Sequence, residues 1–387
     1  MSNKLKESNQ AALSAHVAGC LPNKAFREAM QAKYKIDIAD KEKFNESKID
    51  WKALHDKMRF READGVTGFV QLLRAGISNA ANASYNSVDV TYDEWTTTVT
   101  TDLIEQPYAP LQGLTFPREV GPQQKYPQLR AAGLDLKIRS RKFGALYPVE
   151  LELSKFDQTG QILQMQGKYM GEYLRLVMEV YVYGKLASPS GGATYQQLTV
   201  PVSETKPADE ATYPWSTALI GGGRTRPDTF AVFNQANIQA ADIILMNQRN
   251  MLGIKMMAKG SRILVGPANK FAAAVLLNSS FFPTAQASGT GTFQSINPIQ
   301  GLYNLTVARF MCDQNGSFDS NSSAWYLVDD TKPFFVVQVT EPIVMEQEDP
   351  RSGESFERDI IRFKARTMFN CDLIDPRFAV QYNNGSV

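Results

Sequence analysis

The chain is 387 residues long, more than one hydrophobic core usually serves, so two or three sub-domains or long excursions from a core are expected. Its 41 basic residues are balanced by 40 acidic ones, a net charge of +1, which argues against a dedicated polyanion binder because phosphate-driven affinity needs many uncompensated cations, and leaves nucleic acid at most a neighbour. Cys20, Cys312 and Cys371 are too few and too scattered for a disulfide framework or a clustered zinc site, so a reducing, cytoplasmic origin follows; no apolar h-region follows Met1, and no long apolar run suggests a membrane span.

From Asn23 to Asp64 charges of both signs alternate with Phe26, Tyr34, Ile36, Trp51, Leu54 and Phe60, which reads as helices or an extended arm with a solvated face. Gly68 to Arg74 reads as a short helix, and the Ala-, Asn- and Ser-rich stretch through Val88 as a loop. Val88–Ile104, rich in Val, Thr and Tyr, reads as strand. Between Pro117 and Phe143 apolar content falls and Lys125, Arg130, Lys137, Arg139, Arg141 and Lys142 gather. Leu134–Arg139 alternates apolar and charged residues strictly, as a two-faced strand does, with Ala131-Ala132-Gly133 as the turn before it; this is a candidate for a projecting hairpin.

The strongest period runs from Gln161 to Leu186. Gln161, Gln164, Lys168, Glu172, Arg175 and Glu179 form a polar stripe, opposite an apolar side that includes Tyr169, Met170, Tyr173, Leu174, Val177, Met178 and Tyr181. A long amphipathic helix is expected, capped at Asp157 or Thr159, with Arg175 pairing to Glu172 and Glu179. At a rise of about 1.5 Å per residue it would span roughly 40 Å. Ser188–Pro227 reads as loop with one strand at Gln197–Val202, and Asn237–Leu252 as a helix closed by Gly253. Arg262–Val265 reads as a buried strand, and Pro267 opens a helix through Asn278. Strands at Leu302–Phe310, Ala324–Val328, Phe334–Thr340 and Asp359–Ala365 follow, with a charged loop, Glu346–Glu354, between the last two. The class is α+β.

Signs of chemistry are sparse. The two histidines, His16 and His55, lie in the charged N-terminal region, far from any nucleophile motif, and read as surface residues. Gly221-Gly222-Gly223-Arg224-Thr225-Arg226 lacks the lysine and spacing of a phosphate loop and reads as a flexible basic loop. Gly289 and Gly291 lack the third glycine of a dinucleotide fingerprint. The acids Glu346, Glu348 and Asp349 have neither calcium-loop spacing nor the separation of a glycosidase pair, and no Gly-x-Ser-x-Gly elbow occurs. Neither an enzyme nor a bound cofactor or metal is expected.

Three segments carry a family resemblance: Lys142-Phe143-Gly144-Ala145-Leu146 through Leu151-Glu152-Leu153 into the long helix; Leu264-Val265-Gly266-Pro267 to Leu276-Leu277-Asn278-Ser279; and Trp325-Tyr326-Leu327 to Asp375, with Arg358 to Arg366 similar to a closing strand. From about Phe69 to Asp375 the chain resembles the major capsid proteins of tailed bacteriophages with the Hong-Kong-97-type fold, and especially the Mu-like major head subunits. The resemblance implies an N-terminal arm with entry strands (1–108), an extended loop (109–147), a peripheral domain with a spine helix at 161–186 (148–226), an axial domain (227–311) and a return to the peripheral domain (312–387). It also implies hexamers and pentamers in a shell around double-stranded DNA, a non-specific neighbour, with scaffolding, portal and cement proteins as partners, in a virion assembled in the host cytoplasm without a membrane. Many relatives lose an N-terminal segment to a protease; with Met1 present, that loss is not expected. Some relatives cross-link a loop lysine to a neighbour's asparagine; Lys137 and Lys142 are the lysines placed for it, but no acceptor is marked and solvated lysines are expected.

Lys125, Arg130, Lys137, Arg139, Arg141 and Lys142 and the acids Glu346, Glu348 and Asp349 leave two expectations of equal weight: the patches meet across subunits, or each only keeps its loop soluble. The rivals are an encapsulin-like nanocompartment of the same fold and a hydrolase with dispersed carboxylates.

Overall fold

The computed structural model describes residues 76–108, 111–133, 136–150, 161–187, 192–202, 214–227, 232–285, 292–313, 315–318, 324–348 and 360–382. Outside them lie the expected arm helices at 23–64 and 68–74, Cys20, His16, His55, the cap candidates Asp157 and Thr159, the pair Gly289 and Gly291, and Asp349.

The first helix, α1 (76–87), is followed by a 3-10 turn at Tyr92–Glu94 and strands β1 (Thr97–Thr100), β2 (Glu105–Tyr108), β3 (Leu111–Leu114), β4 (Ala131–Gly133), β5 (Leu136–Arg139) and β6 (Arg141–Glu150). The long helix α2 spans Gln161–Ala187. A small hairpin, β7 (Ala193–Tyr195) and β8 (Leu198–Val200), precedes α3 (Gln235–Met246), β9 (Arg262–Val265) and α4 (Lys270–Asn278). Then come β10 (Phe281–Ala285), β11 (Thr292–Ile296), β12 (Asn304–Val307), β13 (Trp325–Val328), β14 (Phe335–Gln347), β15 (Ile360–Leu373) and β16 (Ala379–Tyr382). The chain is α+β, as its sequence indicated.

Two four-stranded sheets organise these elements, in the orders β1-β14-β15-β6 and β12-β9-β13-β16. In the first, β1 runs parallel to β14, with Thr97 opposite Val336. In the second, β12 lies parallel to β9 and β13 antiparallel to both β9 and β16. The strands β13 and β16, which lie far along the chain, thus complete the sheet begun by β9 and β12.

Two compact units divide the described residues, and α2, β6, β14 and β15 each run from one into the other. In one unit (76–87, 144–173, 345–365) α1 lies against the start of α2, so close that a Cβ at Gly167 would stand 2.9 Å from the Ile77 carbonyl oxygen and one at Gly171 would collide with that of Ala81. Only hydrogen at these positions lets the two backbones meet. Ile77 packs with Val149, Phe363 and Met345. In the other unit (88–143, 174–344, 366–382) one core joins Ile238, Leu245, Ile263, Val265, Leu277, Trp325 and Tyr382, burying α3 and α4 against the second sheet. Trp325 stacks on Tyr382 at 4.3 Å. A second core sits at the foot of the β2–β5 ladder, where Leu136 and Ile138 meet Val336 and Ile374.

The elements depart from the sequence expectations in several places. Residues 76–87 form a helix, not a loop, because Ile77 and Ala81 supply a buried face one turn apart. Val88–Ile104 is strand only at Thr97–Thr100; before it, the 3-10 turn buries Tyr92. Ala131–Gly133 is a strand paired to Leu111–Leu114, not a turn. The strand expected at Gln197–Val202 forms at Leu198–Val200, and a turn at Gln196, φ 52°, pairs it with a strand that was not expected, Ala193–Tyr195. Helix α3 stops at Asn247, whose side chain donates to the Ile243 carbonyl, well before Gly253. Glu346 lies inside β14, not in a loop.

Candidate assembly surface

The basic segment is built as a long two-stranded ribbon. Glu105–Tyr108 pairs antiparallel with Leu136–Arg139, and Leu111–Leu114 with Ala131–Gly133; the ladder continues where Thr115 donates its N–H to the Arg130 carbonyl at 3.0 Å. Strict alternation in β5 does what it predicted: Leu136 and Ile138 are buried at the foot, while Lys137 and Arg139 face solvent. Beyond Thr115 and Arg130 the ribbon's tip has little to pack on. Phe116 is 72% exposed and Tyr126 85% exposed, and Leu129 is exposed as well. Lys125 and Arg130 belong to the same tip region, and Arg141 and Lys142 are exposed at the start of β6. Within the ribbon, Lys137 approaches Glu105 only to 4.0 Å.

The acids expected to answer these cations lie at the end of β14. Glu346 pairs with Lys364 at 2.5 Å, and Glu348 with Arg362 at 2.5 Å, both across to β15 of the same chain. Each acid thus has a cation of its own subunit, which the sequence reading had not supplied. Asp349 lies outside the described residues.

A clamp on the latter half of α2 was not foreseen. Arg175, Glu179 and Tyr183 stand one turn apart on one helix face and grip the turn at residues 91–95. Arg175 reaches Asp93 at 2.5 Å and lies 5.2 Å from the centre of the Tyr92 ring. Glu179 accepts from the Thr91 backbone N–H at 3.2 Å and its hydroxyl at 2.7 Å. Tyr183 shares a 2.6 Å hydrogen bond with Thr91 and accepts from the Trp95 indole at 3.3 Å. The expected pairing of Arg175 with Glu172 and Glu179 is replaced by Asp93, because Glu179 is fully buried and turned to Thr91. Burial raises the Glu179 carboxyl above its ordinary range, against the lowering by the Thr91 hydrogen bonds and by Arg309. The clue in the sequence was the four-residue spacing of 175, 179 and 183; nothing marked residues 91–95 as its partner.

Deeper in the same unit, Lys185 and Asp372 form a fully buried pair at 3.4 Å, with Lys185 also donating to the Val202 carbonyl at 2.8 Å. The glycine-rich segment is firmly fastened and not the flexible loop expected. Thr225 and Ser216 bond to each other, Gln381 donates to the Thr225 carbonyl, and the Gln248 amide bridges the Arg224 N–H and carbonyl. Cys312 and Cys371 are buried, and burial pushes the Cys312 thiol up to about 12, which keeps it protonated and unreactive. Among the described residues no cluster of His, Cys, Asp and Glu is arranged to hold a metal, and no helix is long and apolar enough to cross a membrane.

The sequence profile of the family described as "Phage capsid protein" matches residues 134–382, well over half of the chain. The chain belongs to the phage capsid protein family. No curated protein matches its sequence. Among solved structures this capsid protein is similar to a chain of Gordonia phage Cozz, with 13% identity and a TM-score of 0.48 over 78% of this chain and 88% of that one. It is similar also to the capsid of a native GTA particle, with 11% identity and a TM-score of 0.45 over 76% of this chain and 90% of that one. A virus-like particle from Pyrococcus furiosus gives 11% identity and a TM-score of 0.43 over 79% of this chain and 97% of that one. The matched family is a phage family, so the capsid reading is favoured over a nanocompartment.

Proposed function

We propose that this capsid protein is the major head subunit of a tailed phage, of the Mu-like kind, forming hexamers and pentamers that close an icosahedral shell around double-stranded DNA. It catalyses nothing and holds no cofactor. Scaffolding, portal and cement proteins are its partners, and the virion is assembled in the host cytoplasm. The ribbon serves as the extended loop, residues 148–226 as the peripheral domain around the spine helix, and 227–311 as the axial domain.

The observation that carries the reading is the ribbon tip, where Phe116 and Tyr126 stand largely in solvent. Fully covering such side chains is worth about 1.5–3 kcal/mol each, and a second copy of the chain is the partner a shell supplies. Lys125, Arg130, Lys137, Arg139, Arg141 and Lys142 orient that contact, and Glu346, Glu348 and Asp349 lie on the receiving side. Because Glu346 and Glu348 already hold Lys364 and Arg362, they would receive the ribbon as shared acceptors, not as bare charges.

Sedimentation velocity tests this. The wild-type chain should give megadalton particles at raised concentration or with scaffold, and the double variant Arg139→Glu, Arg141→Glu should remain a folded small species. A double variant that forms particles as well as wild type at low salt contradicts the contact, and a wild-type chain that stays monomeric under every condition contradicts the shell.

A further inference from the structure

A shallow depression of about 340 Å³ opens where the end of α3 meets the glycine-rich segment. Arg224, Arg249 and Lys255 line it together with Gly222, Asn247 and the pair Ile243 and Ile244; no carboxylate is among the lining residues. The chain as a whole is nearly neutral, so this clustering is local. In the sequence from Trp215 to Gly260 there are five cations, Arg224, Arg226, Arg249, Lys255 and Lys259, and two acids, Asp228 and Asp242.

The cations are held in place. Arg249 donates to the Gly253 carbonyl at 3.1 Å, Arg224 to the Thr217 carbonyl at 3.1 Å, and Lys255 to the Asn247 side-chain oxygen at 2.8 Å. Arg249 and Lys255 also face each other across an antiparallel bridge, which sets two like charges side by side at a cost that an anion between them would offset. Gly222, at φ 86°, has only the Arg249 side chain near the place of a Cβ, at 3.6 Å, so a ligand can approach its backbone.

We propose that this depression binds a phosphate of a nucleic-acid backbone. The proposal rests on the shell reading above, since a polyphosphate chain is what a phage shell encloses. The Arg249 guanidinium and the Lys255 ammonium match phosphate oxygens. The floor supplies no base reader: Ile243 and Ile244 are apolar, and the Asn247 side chain is occupied on both ends by Lys255 and the Ile243 carbonyl. Contact of this kind positions a duplex without reading its sequence. The depression lies among exposed side chains, Ile243 and Lys255, which suits a backbone passing over it.

The test uses the full chain, kept unassembled by dilution, with a fluorescently labelled duplex of mixed sequence whose anisotropy is followed as salt is raised. Changing Arg249→Gln and Lys255→Gln should weaken binding and make the salt dependence shallower by about two in log–log slope. The ribbon pair Lys137→Gln, Arg139→Gln, measured alongside, should change the slope less. Should the double variant fail to fold, Lys255→Gln alone, one exposed side chain, is read the same way with a slope change of about one. An unchanged slope, or equal losses from the two pairs, overturns the site. Saturation by inorganic phosphate without duplex binding would assign it to the free ion, and tighter binding of polyglutamate than of duplex would assign it to an acidic protein segment; either result overturns the nucleic-acid assignment. Shell formation is scored separately by sedimentation, so failure of the phosphate site and failure of the shell reading give different results.

Discussion

Glu179 has one carboxylate oxygen held twice by Thr91 and the other buried without a hydrogen-bond partner. Burial raises its carboxyl in the folded chain above the ordinary carboxylate range. A carboxyl raised on folding binds protons more tightly in the folded chain, so the folded state gains from protonation and loses stability as pH rises from about 4.5 through the raised value. Glu179→Gln keeps the acceptor for Thr91 and removes the buried charge. The variant should melt at or above the wild-type temperature at pH 7, and the gap should close toward pH 4; thermal denaturation across that range checks it, and a variant less stable at pH 7 shows that the charge itself is needed. Gly171 makes a second prediction at this scale. A methyl there strikes the Ala81 carbonyl, so Gly171→Ala should undo the packing of α1, a cost of at least about 1–3 kcal/mol, seen as faster amide exchange in residues 76–87, whereas unchanged exchange would place α1 elsewhere.

At the scale of elements, α2 gives the sharpest contrast. Leu174 is buried beside Met178 and Tyr181, while Tyr173, its neighbour, is 65% exposed. Leu174→Asp should abolish folding, since an unpaired buried carboxylate costs several kcal/mol against a total of about 5–15 kcal/mol. Tyr173→Asp should leave the isolated chain folded. Circular dichroism of both variants checks this, and a folded Leu174→Asp chain would mean the helix is turned differently. The helix was legible because its apolar period is long and uninterrupted, and its observed span, Gln161–Ala187, adds one residue to the expectation. Its faces were less legible: Glu179, read as polar surface, is buried, and Tyr169 and Tyr173, read as core, are exposed. Side-chain type sets a helical period, but the partner that covers a given turn comes from distant residues such as Thr91. The ribbon was legible in β5, where alternation is strict, and not in β4, where Ala131-Ala132-Gly133 has no side chains large enough to show a period. The hairpin β10–β11 and the closing strand β16 went unread. β16 is buried on every residue, so it has no alternation to display.

For the whole molecule, near-neutral charge and a ribbon tip without intramolecular cover point to association through contacts that are weak singly and repeated many times. Exposed ion pairs contribute only ~0–1 kcal/mol each, so in the proposed contact the ribbon's cations would serve orientation and the apolar tip would supply the cohesion. Replacing Phe116 and Tyr126 together by Ser should therefore raise the concentration needed for assembly more than 0.5 M salt does, as light scattering would show; a larger effect of salt would reverse that ranking. The central claim is that the chain closes into shells, and negative-stain electron microscopy of the purified chain, with and without scaffold, tests it most directly. The account predicts closed or tubular particles with a lattice of hexamers; a field of small, discrete oligomers under every condition would contradict it.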